Sequence, residues 1–133
     1  MSAYTDEQRS FLTGRKQAVL ATGRPDGSPQ ISTVAYVVVD DDVVVSTKSY
    51  TAKWRNARRR PQVALLVGDG HAQLTIYGSA QCIDADPERA ALSAKVFAAL
   101  TGEAVEPASI VPVLDQQQRT ILRIRPRKVL MNE

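Results

Sequence analysis

The sequence has few of the residues from which common catalytic and metal sites are built. It contains one cysteine, Cys82, and one histidine, His71, among 133 residues. A single cysteine excludes an internal disulfide and a multi-cysteine metal cluster, and a lone histidine beside a turn is most often simply exposed. Neither a G-x-S-x-G motif nor a G-x-x-x-x-G-K-S/T loop occurs. We therefore predict no metal site and no hydrolase nucleophile, and we assign no catalytic acid or base.

Long apolar runs are also absent. No stretch approaches the roughly 20 apolar residues that a membrane span needs, and the first residues, MSAYTDEQRS, do not resemble a secretory signal. We therefore predict a cytoplasmic protein without a membrane segment. The length suits one domain, residues 1–133, and the 44% of apolar residues is ordinary for a globular core.

The chain does contain a series of short apolar strands separated by turn residues. Residues 25–29, PDGSP, are a strong turn signal, because proline and an Asp-Gly pair favour the angles of a tight turn. Asp86-Pro87 predicts a helix start, with aspartate as the cap and proline at the first helical position, and Gly78 is expected to mark a bulge. The predicted strands are 16–24, 29–39, 43–48, 62–68, 72–84 and 119–131, and the predicted helices are 5–13, 51–60 and 87–102. Residues 103–118 are predicted to be irregular, with room for a short helix, so the pattern indicates a small antiparallel β-barrel.

Residues 46–61, STKSYTAKWRNARRRP, form the most unusual segment, with six basic residues. Ser46 and Thr47 end a predicted strand, and Lys53 falls in the first turn of the helix that follows. Strand-end hydroxyls, a helix N-terminus and a lysine together favour an anion such as phosphate, because the backbone N–H groups and the helix dipole are positive there.

The same helix has an apolar face. Tyr50, Trp54 and Ala57 lie at i, i+4 and i+7, so we expect them to pack the helix on the barrel, with Asn56 beside that face. Two simpler interpretations of the charge remain open. One is a solvated basic helix face. The other is a nucleic-acid patch, although the segment lacks aromatic residues beyond Tyr50 and Trp54 for stacking on bases.

Residues 46–67, STKSYTAKWRNARRRPQVALLV, resemble the phosphate-binding segment of the flavin-binding split-barrel superfamily, the pyridoxamine-phosphate-oxidase-like proteins. AVLATGRPDGSPQISTVAYVV (18–38) is similar to the first hairpin of that family. GSAQCIDADPERA (78–90) is similar to its fifth strand and following helix, and RTILRIRPRKVL (119–130) to its closing strand. The likeness covers nearly the whole chain. It implies a mainly β (α+β) fold, a six-stranded antiparallel split β-barrel with short flanking helices.

Two departures from the family pattern bear on the cofactor. The family carries Arg-x-Lys or Ser-Arg-Lys in this segment, whereas Thr51 or Ala52 stands here in place of the arginine and Lys53 keeps the lysine. The chain is also shorter than the oxidase, which has a C-terminal substrate-binding section. It looks most like the small branch that uses the deazaflavin coenzyme F420, whose phosphate suits Lys53 and whose polyglutamate tail suits the extra arginines of the segment.

The resemblance implies a homodimer, with the cofactor ring in a groove between the subunits and a small-molecule substrate beside it. The residues that it implies for cofactor binding are Gln30, Ser32 and Val34 on the second strand, Ser46, Thr47, Lys48, Lys53 and Asn56 around the basic helix, and Tyr77 from the other subunit. The implied activity is that of an F420H2-dependent reductase that transfers a hydride to an unsaturated small organic substrate. The cofactor supplies that hydride, and the protein binds and orients the two molecules. An FMN-dependent oxidoreductase and a non-catalytic F420-binding carrier are the alternatives.

Overall fold

Six antiparallel strands form a closed barrel in the computed structural model, which describes residues 2–132. The strands are β1 (Gln17–Gly23), β2 (Pro29–Val39), β3 (Asp42–Lys48), β4 (Gln62–Gly68), β5 (Gln73–Ile83) and β6 (Arg119–Met131), and the helices are α1 (Asp6–Thr13), α2 (Ala52–Arg59), α3 (Glu88–Thr101) and α4 (Pro107–Gln117). Around the barrel the order is β1-β2-β3-β6-β5-β4. The predicted six-stranded antiparallel barrel, mainly β with short flanking helices, is confirmed. Within the described residues, no helix combines the length and the apolar character that a membrane crossing requires.

The turn between β1 and β2 forms as its sequence predicts. The Asp26 carboxylate accepts hydrogen bonds from the backbone N–H and the hydroxyl of Ser28, at 2.9 and 2.6 Å. These bonds hold the pKa of Asp26 below its usual range. Gly27 adopts a φ of +88°, a region that residues with a Cβ rarely enter. The turn sets the register of the hairpin, in which Leu20 lies opposite Ser32.

Gly78 marks the predicted bulge in β5. The pairing of β5 with β6 shifts between Tyr77, which lies opposite Lys128, and Gly78, which lies opposite Pro126. A Cβ at Gly78 would lie 2.7 Å from the carbonyl oxygen of Arg125, so only glycine permits this close approach of the two strands.

The core has two parts, one inside the barrel and one between the barrel and α3. The buried residues inside include Leu20, Val43, Val45, Leu65 and Ile76, and those under α3 are Val44, Ile83, Leu92, Val96 and Ile121. Because successive side chains of a strand point to opposite faces, Ser46 and Lys48 share the outer face of β3 with Val44. This outer face supports the cavity described below.

Helix α3 begins one residue later than we predicted. Glu88 is its first residue and Pro87 occupies the cap position, so the prediction of proline at the first helical position is wrong. Asp86 keeps part of its predicted role, because its carboxylate accepts the backbone N–H of Ala90 at 3.0 Å. The hydrogen-bonded Arg89 guanidinium holds the pKa of Asp86 below its usual range.

Helix α4 is more regular than we expected for its segment. It has 11 residues despite Pro112 in its interior, which removes one helical hydrogen bond. Arg89 of α3 compensates through tertiary contacts. Its guanidinium, in a residue 7% exposed, donates to Asp86 at 2.8 Å, to Asp115 of α4 at 2.7 Å, and to the Arg119 carbonyl at 3.2 Å. The charged pairs fix α4 against both α3 and the start of β6.

Helix α2 packs on the barrel through Trp54 and Ala57, which are 3% and 2% exposed, as predicted. Tyr50 does not contribute to this packing, because its side chain is 53% exposed. The helix begins at Ala52, so Tyr50 lies in the preceding turn, where helical spacing does not apply. The prediction that Tyr50 anchors the helix is therefore wrong.

Candidate functional site

A cavity of about 540 Å³ lies against the outer face of the barrel. Strands β2 and β3 contribute Thr33, Ala35 and Ser46 to it. Its two ends differ in chemistry. The clamp end consists of Ser46, Thr47, Lys48, Thr51, Lys53 and Arg119, and the hairpin end consists of Ser93, Val96, Phe97, Leu100, Ile110 and Val113 from α3 and α4. Leu114 and Gln117 of α4 also line the cavity, and the Gln117 side chain accepts a hydrogen bond from Arg119 at 3.0 Å. The volume falls in the range of roughly 300–1,000 Å³ that is typical of small-molecule sites.

The clamp end is positively charged. Lys48 of β3 and Arg119 of β6 lie opposite each other on adjacent strands, and Lys53 adds a third cation from α2. No acidic residue is found among the described residues that line the cavity. The positive charge is therefore not neutralised inside the cavity, and this end favours an anion.

The N-terminus of α2 opens into the clamp end. Thr51 occupies the cap position, but its hydroxyl donates to the Lys48 carbonyl at 2.8 Å and lies 3.2 Å from the hydroxyl of Thr47. In the part of the chain that the structure describes, no side-chain hydrogen bond caps α2. First-turn N–H groups of a helix need an acceptor from a side chain, water or a ligand. This helix start, with Lys53 in its first turn, has the chemistry of a phosphate site.

The hairpin end is apolar. Phe97 and Leu100 of α3 and Val113 of α4 are 47%, 49% and 47% exposed, and all three line the cavity. Ser93 also lies on this wall and is 4% exposed. Such a wall excludes water from one face of a bound molecule, and the apolar surface that becomes buried stabilises the complex.

Five of the predicted site residues come together in the cavity, and four lie outside its lining. Val34, Ser46, Thr47, Lys48 and Lys53 line it; Gln30, Ser32, Asn56 and Tyr77 do not. The sequence analysis did not identify Arg119 or Thr51 as site residues. Thr51 had a usable signal, since threonine at the start of a predicted helix is a typical cap.

Gln30 and Asn56 belong to one partly buried chain of hydrogen bonds. The Asn56 amide, in a residue 5% exposed, donates to the Thr22 hydroxyl at 3.1 Å. That hydroxyl donates to the Gln30 side-chain carbonyl at 2.9 Å, and Arg59 donates to the Asn56 carbonyl oxygen at 3.0 Å. The chain joins α2 to β1 and β2 and so positions the helix whose N-terminus forms the clamp end.

The orientation of β2 explains why Ser32 does not line the cavity. Ser32 lies opposite Leu20, which is buried inside the barrel, so even-numbered residues of β2 face inward. The cavity is lined instead by Thr33 and Ala35 of the other face, together with Val34. The Ser32 hydroxyl is buried and has no hydrogen-bond partner among residues 2–132. Strand alternation identifies two faces but does not say which one faces the cavity.

Tyr77 lies on a different apolar surface, the β1–β4 outer face. Ile31, Ala21, Ala64 and Tyr77 occupy one row across four strands, and Leu66 lies two residues beyond Ala64 on the same face. Ile31, Leu66 and Tyr77 are 66%, 40% and 48% exposed. A contiguous apolar row of this kind is typical of an interaction surface.

Comparison with solved structures shows the same fold in other proteins. The conserved hypothetical protein Rv2991 from Mycobacterium tuberculosis is 25% identical with a TM-score of 0.81, and the match covers 98% of this chain and 85% of that one. A protein described as an F420 reductase is 25% identical with a TM-score of 0.74, over 96% of this chain and 98% of that one. General Stress Protein 26 from Bacillus anthracis, at 19% identity and a TM-score of 0.71 over 96% and 94% of the two chains, is similar in fold alone.

The sequence itself matches a family model over residues 4–132, and that family is described as pyridoxamine 5'-phosphate oxidase. The match includes all six strands, the clamp end and the hairpin end. The resemblance found in the sequence is thereby confirmed at the level of the family. This chain belongs to the pyridoxamine 5'-phosphate oxidase family.

Proposed function

We propose that this chain is an F420H2-dependent reductase that acts on an unsaturated small organic substrate. The observation that carries the proposal is the uncapped start of α2, which opens into a cavity with three cations and no acidic lining residue among those described. The similarity to a protein described as an F420 reductase favours F420 over FMN. When bound, the reduced coenzyme supplies a hydride, and the substrate becomes saturated by taking up that hydride and one proton.

The proposed phosphate site consists of the α2 N-terminus, the hydroxyls of Ser46 and Thr47, and the Lys53 ammonium. A guanidinium is missing at positions 51 and 52, where the family pattern has arginine. Arg119 is the residue that we propose in its place, because it lines the same cavity and lies opposite Lys48 on the neighbouring strand. An arginine from β6 restores the planar, multi-donor group that suits phosphate.

The other predicted residues have more indirect proposed roles. Val34 contributes apolar contact to the cofactor ring. Gln30 and Asn56 support the cofactor by holding α2 through Thr22. Ser32 faces the interior of the barrel, opposite Leu20, so it has no direct contact with the cofactor in the proposal.

We also propose a homodimer that forms through the β1–β4 outer face, with Tyr77 closing over the cofactor of the other subunit. Support comes from the exposed apolar row that contains Ile31 and Tyr77. Replacing Leu66 by glutamate places a charge on the same face, beside that row, without touching the barrel core, so Leu66→Glu is expected to elute as a monomer. Light scattering coupled to size exclusion measures the mass, and an unchanged dimer in the variant would place the interface elsewhere.

The cofactor proposal is tested by titrating purified protein with F420 and following its fluorescence. Replacing Lys53 by alanine removes one charge-assisted hydrogen bond, worth about 1.5–3 kcal/mol, so the dissociation constant is expected to rise roughly 10- to 100-fold. Lys95 is exposed and does not line the cavity, so Lys95→Ala serves as the matched control. If Lys53→Ala and wild type bound F420 with equal affinity, the clamp end would not be the phosphate site.

Parallel titration with FMN separates the alternatives within the family. F420 binding with FMN binding at least tenfold weaker supports the proposal, whereas the reverse order supports an FMN-dependent oxidoreductase. Bound F420H2 that no unsaturated acceptor oxidises would indicate the non-catalytic carrier.

A further inference from the structure

Gln117 is a cavity residue whose side chain is bonded to one of the three cations of the clamp end. It is the last residue of α4, and it lines the cavity together with Arg119. Its side-chain carbonyl oxygen accepts a hydrogen bond from Nε of Arg119 at 3.0 Å. The two side chains therefore form one hydrogen-bonded pair on the wall of the cavity.

The backbone that carries this pair is held by its neighbours. Gln118, between the two residues, has a φ of +55° and ends α4, and its carbonyl accepts the N–H of Ser49 at 2.9 Å. The Arg119 carbonyl accepts from Arg89 of α3 at 3.2 Å, and Arg119 pairs with Lys48 of β3. Because the backbone is held on both sides, the position of the guanidinium depends on the torsion angles of its own side chain.

The bond to Gln117 fixes those torsion angles at one end of the guanidinium. An arginine side chain has several rotatable bonds, and fixing them when a ligand binds costs conformational entropy. A guanidinium has five N–H groups, and Gln117 takes only the one at Nε. Among the described residues, no further hydrogen bond of this guanidinium is found. The four N–H groups of its two terminal nitrogens are thus available to an anion, in the paired geometry that suits phosphate.

We propose that Gln117 is a positioning residue, which holds the Arg119 guanidinium toward the phosphate of the bound coenzyme. The inference rests on the proposed function and names the residue that orients its replacement arginine. Because the Gln117 side chain is neutral, it orients the guanidinium and leaves the positive charge uncompensated. A carboxylate at the same position would orient the group and also neutralise it.

The orientation is measured without any ligand, from the Nε–H signal of Arg119 in ¹⁵N-labelled protein. Arg119→Met identifies this signal by removing it. In wild type we expect a separate signal that exchanges slowly with water, and in Gln117→Met it should move to the range of exposed arginines. Gln116, the preceding residue of α4, is exposed and does not line the cavity, so Gln116→Met is the matched control and should leave the signal unchanged.

Titration with F420 shows whether Gln117 acts through Arg119. Gln117→Met should raise the dissociation constant about three- to fivefold and Arg119→Met about 10- to 100-fold, as expected for the loss of a neutral and of a charged hydrogen bond. The double variant should bind within about twofold of Arg119→Met, because no guanidinium is left to orient. If the two effects multiply instead, Gln117 contacts the coenzyme directly and the inference is overturned.

Gln117→Glu separates orientation from charge. Its carboxylate accepts the same N–H, so the Arg119 signal should stay separate, while the neutralised guanidinium should weaken F420 binding on the order of tenfold. Position 117 is exposed, so the Tm of both variants should stay within about 2 °C of wild type. A merely structural role at the end of α4 predicts that a folded Gln117→Glu binds F420 as wild type does, and that result would overturn the inference.

Titration with inorganic phosphate, followed by ¹⁵N amide shifts, separates this inference from the proposed function. Wild-type protein that binds phosphate at the clamp end more tightly than Gln117→Met, but does not bind F420, keeps the positioning role and refutes the coenzyme. Equal F420 affinity of wild type and Gln117→Met refutes the positioning role alone. Wild-type protein that binds neither F420 nor phosphate at the clamp end overturns both proposals.

Discussion

The two ends of the cavity are built in different ways. Most of the clamp end comes from one continuous stretch, residues 46–53, at the junction of a barrel strand and a short helix. The hairpin end comes from two helices outside the barrel, which meet through side chains far apart in the chain. One end is therefore as rigid as the strand that carries it, whereas the other depends on how α4 is held against α3.

This difference bears on the proposed coenzyme site. A phosphate group is the same in every molecule of a coenzyme, and a fixed helix start with fixed cations recognises it without adjustment. A cavity wall that stands on two helices outside the barrel is able to change in shape and side chains while the barrel stays intact. The proposed function therefore places the coenzyme phosphate on the part of the cavity that the barrel holds in position.

The largest expected loss of stability comes from replacing Arg89, whose guanidinium joins α3 to α4. Arg89→Met keeps much of the side-chain volume but leaves Asp86 and Asp115 without their partner. Breaking a buried pair from one side costs about 3–5 kcal/mol. The side chains of Asp86 and Asp115 are 33% and 64% exposed and are solvated once released, so we expect a loss of about 2–3 kcal/mol. Thermal denaturation should show a decrease in Tm on the order of 10 °C.

The same variant tests whether the two ends are independent. In Arg89→Met the affinity for F420 should stay within about threefold of wild type, because the clamp end lies on β3, α2 and β6. Arg127 is exposed, and Arg127→Met is the matched control, with an expected change in stability of at most about 0.5 kcal/mol. A larger loss of F420 affinity would show that Arg89 also supports the clamp end, through its hydrogen bond to the Arg119 carbonyl.

Local sequence signals predicted the barrel and most of the clamp end, because their determinants are close together in the chain. The PDGSP turn, the glycine bulge at Gly78 and the hydroxyls before a basic helix all act within a few residues. The same reasoning failed for Tyr50, where helical spacing was extended across a turn that only the folded backbone reveals. It also failed for Arg119, because the register that places this residue opposite Lys48 joins segments about 70 residues apart.

The hairpin end could not be predicted for a related physical reason. Pro107 and Pro112 indicate an interrupted segment when each is considered locally, yet α4 forms because Leu114 is buried and Asp115 pairs with Arg89. The exposure of Phe97 and Val113 to one shared cavity depends on that tertiary arrangement. The helical pattern of α3 alone does not indicate which of its faces lines a cavity.

A smaller loss of stability is expected from Asn56→Ala, which weakens the attachment of α2 to the barrel beside the clamp end. Asn56→Ala removes the donor to the Thr22 hydroxyl and one acceptor of Arg59, while Thr22 keeps its bond to Gln30 and Arg59 its bond to the Gly23 carbonyl. The expected loss of stability is about 1–2 kcal/mol, measured by urea denaturation. The exposed amide of Gln62 provides the control variant Gln62→Ala, which should stay close to wild type.

The affinity of Asn56→Ala for F420 shows whether Asn56 positions α2 or contacts the coenzyme directly. If Asn56 acts by holding α2, F420 affinity should fall by less than in Lys53→Ala, because the ammonium and the helix start remain in the cavity. Asn56→Asp sharpens the distinction, since its carboxylate still accepts from Arg59 but does not donate to Thr22. A loss of F420 affinity equal to that of Lys53→Ala, with stability unchanged, would make Asn56 a contact residue and show that the clamp end extends beyond the lining of the cavity.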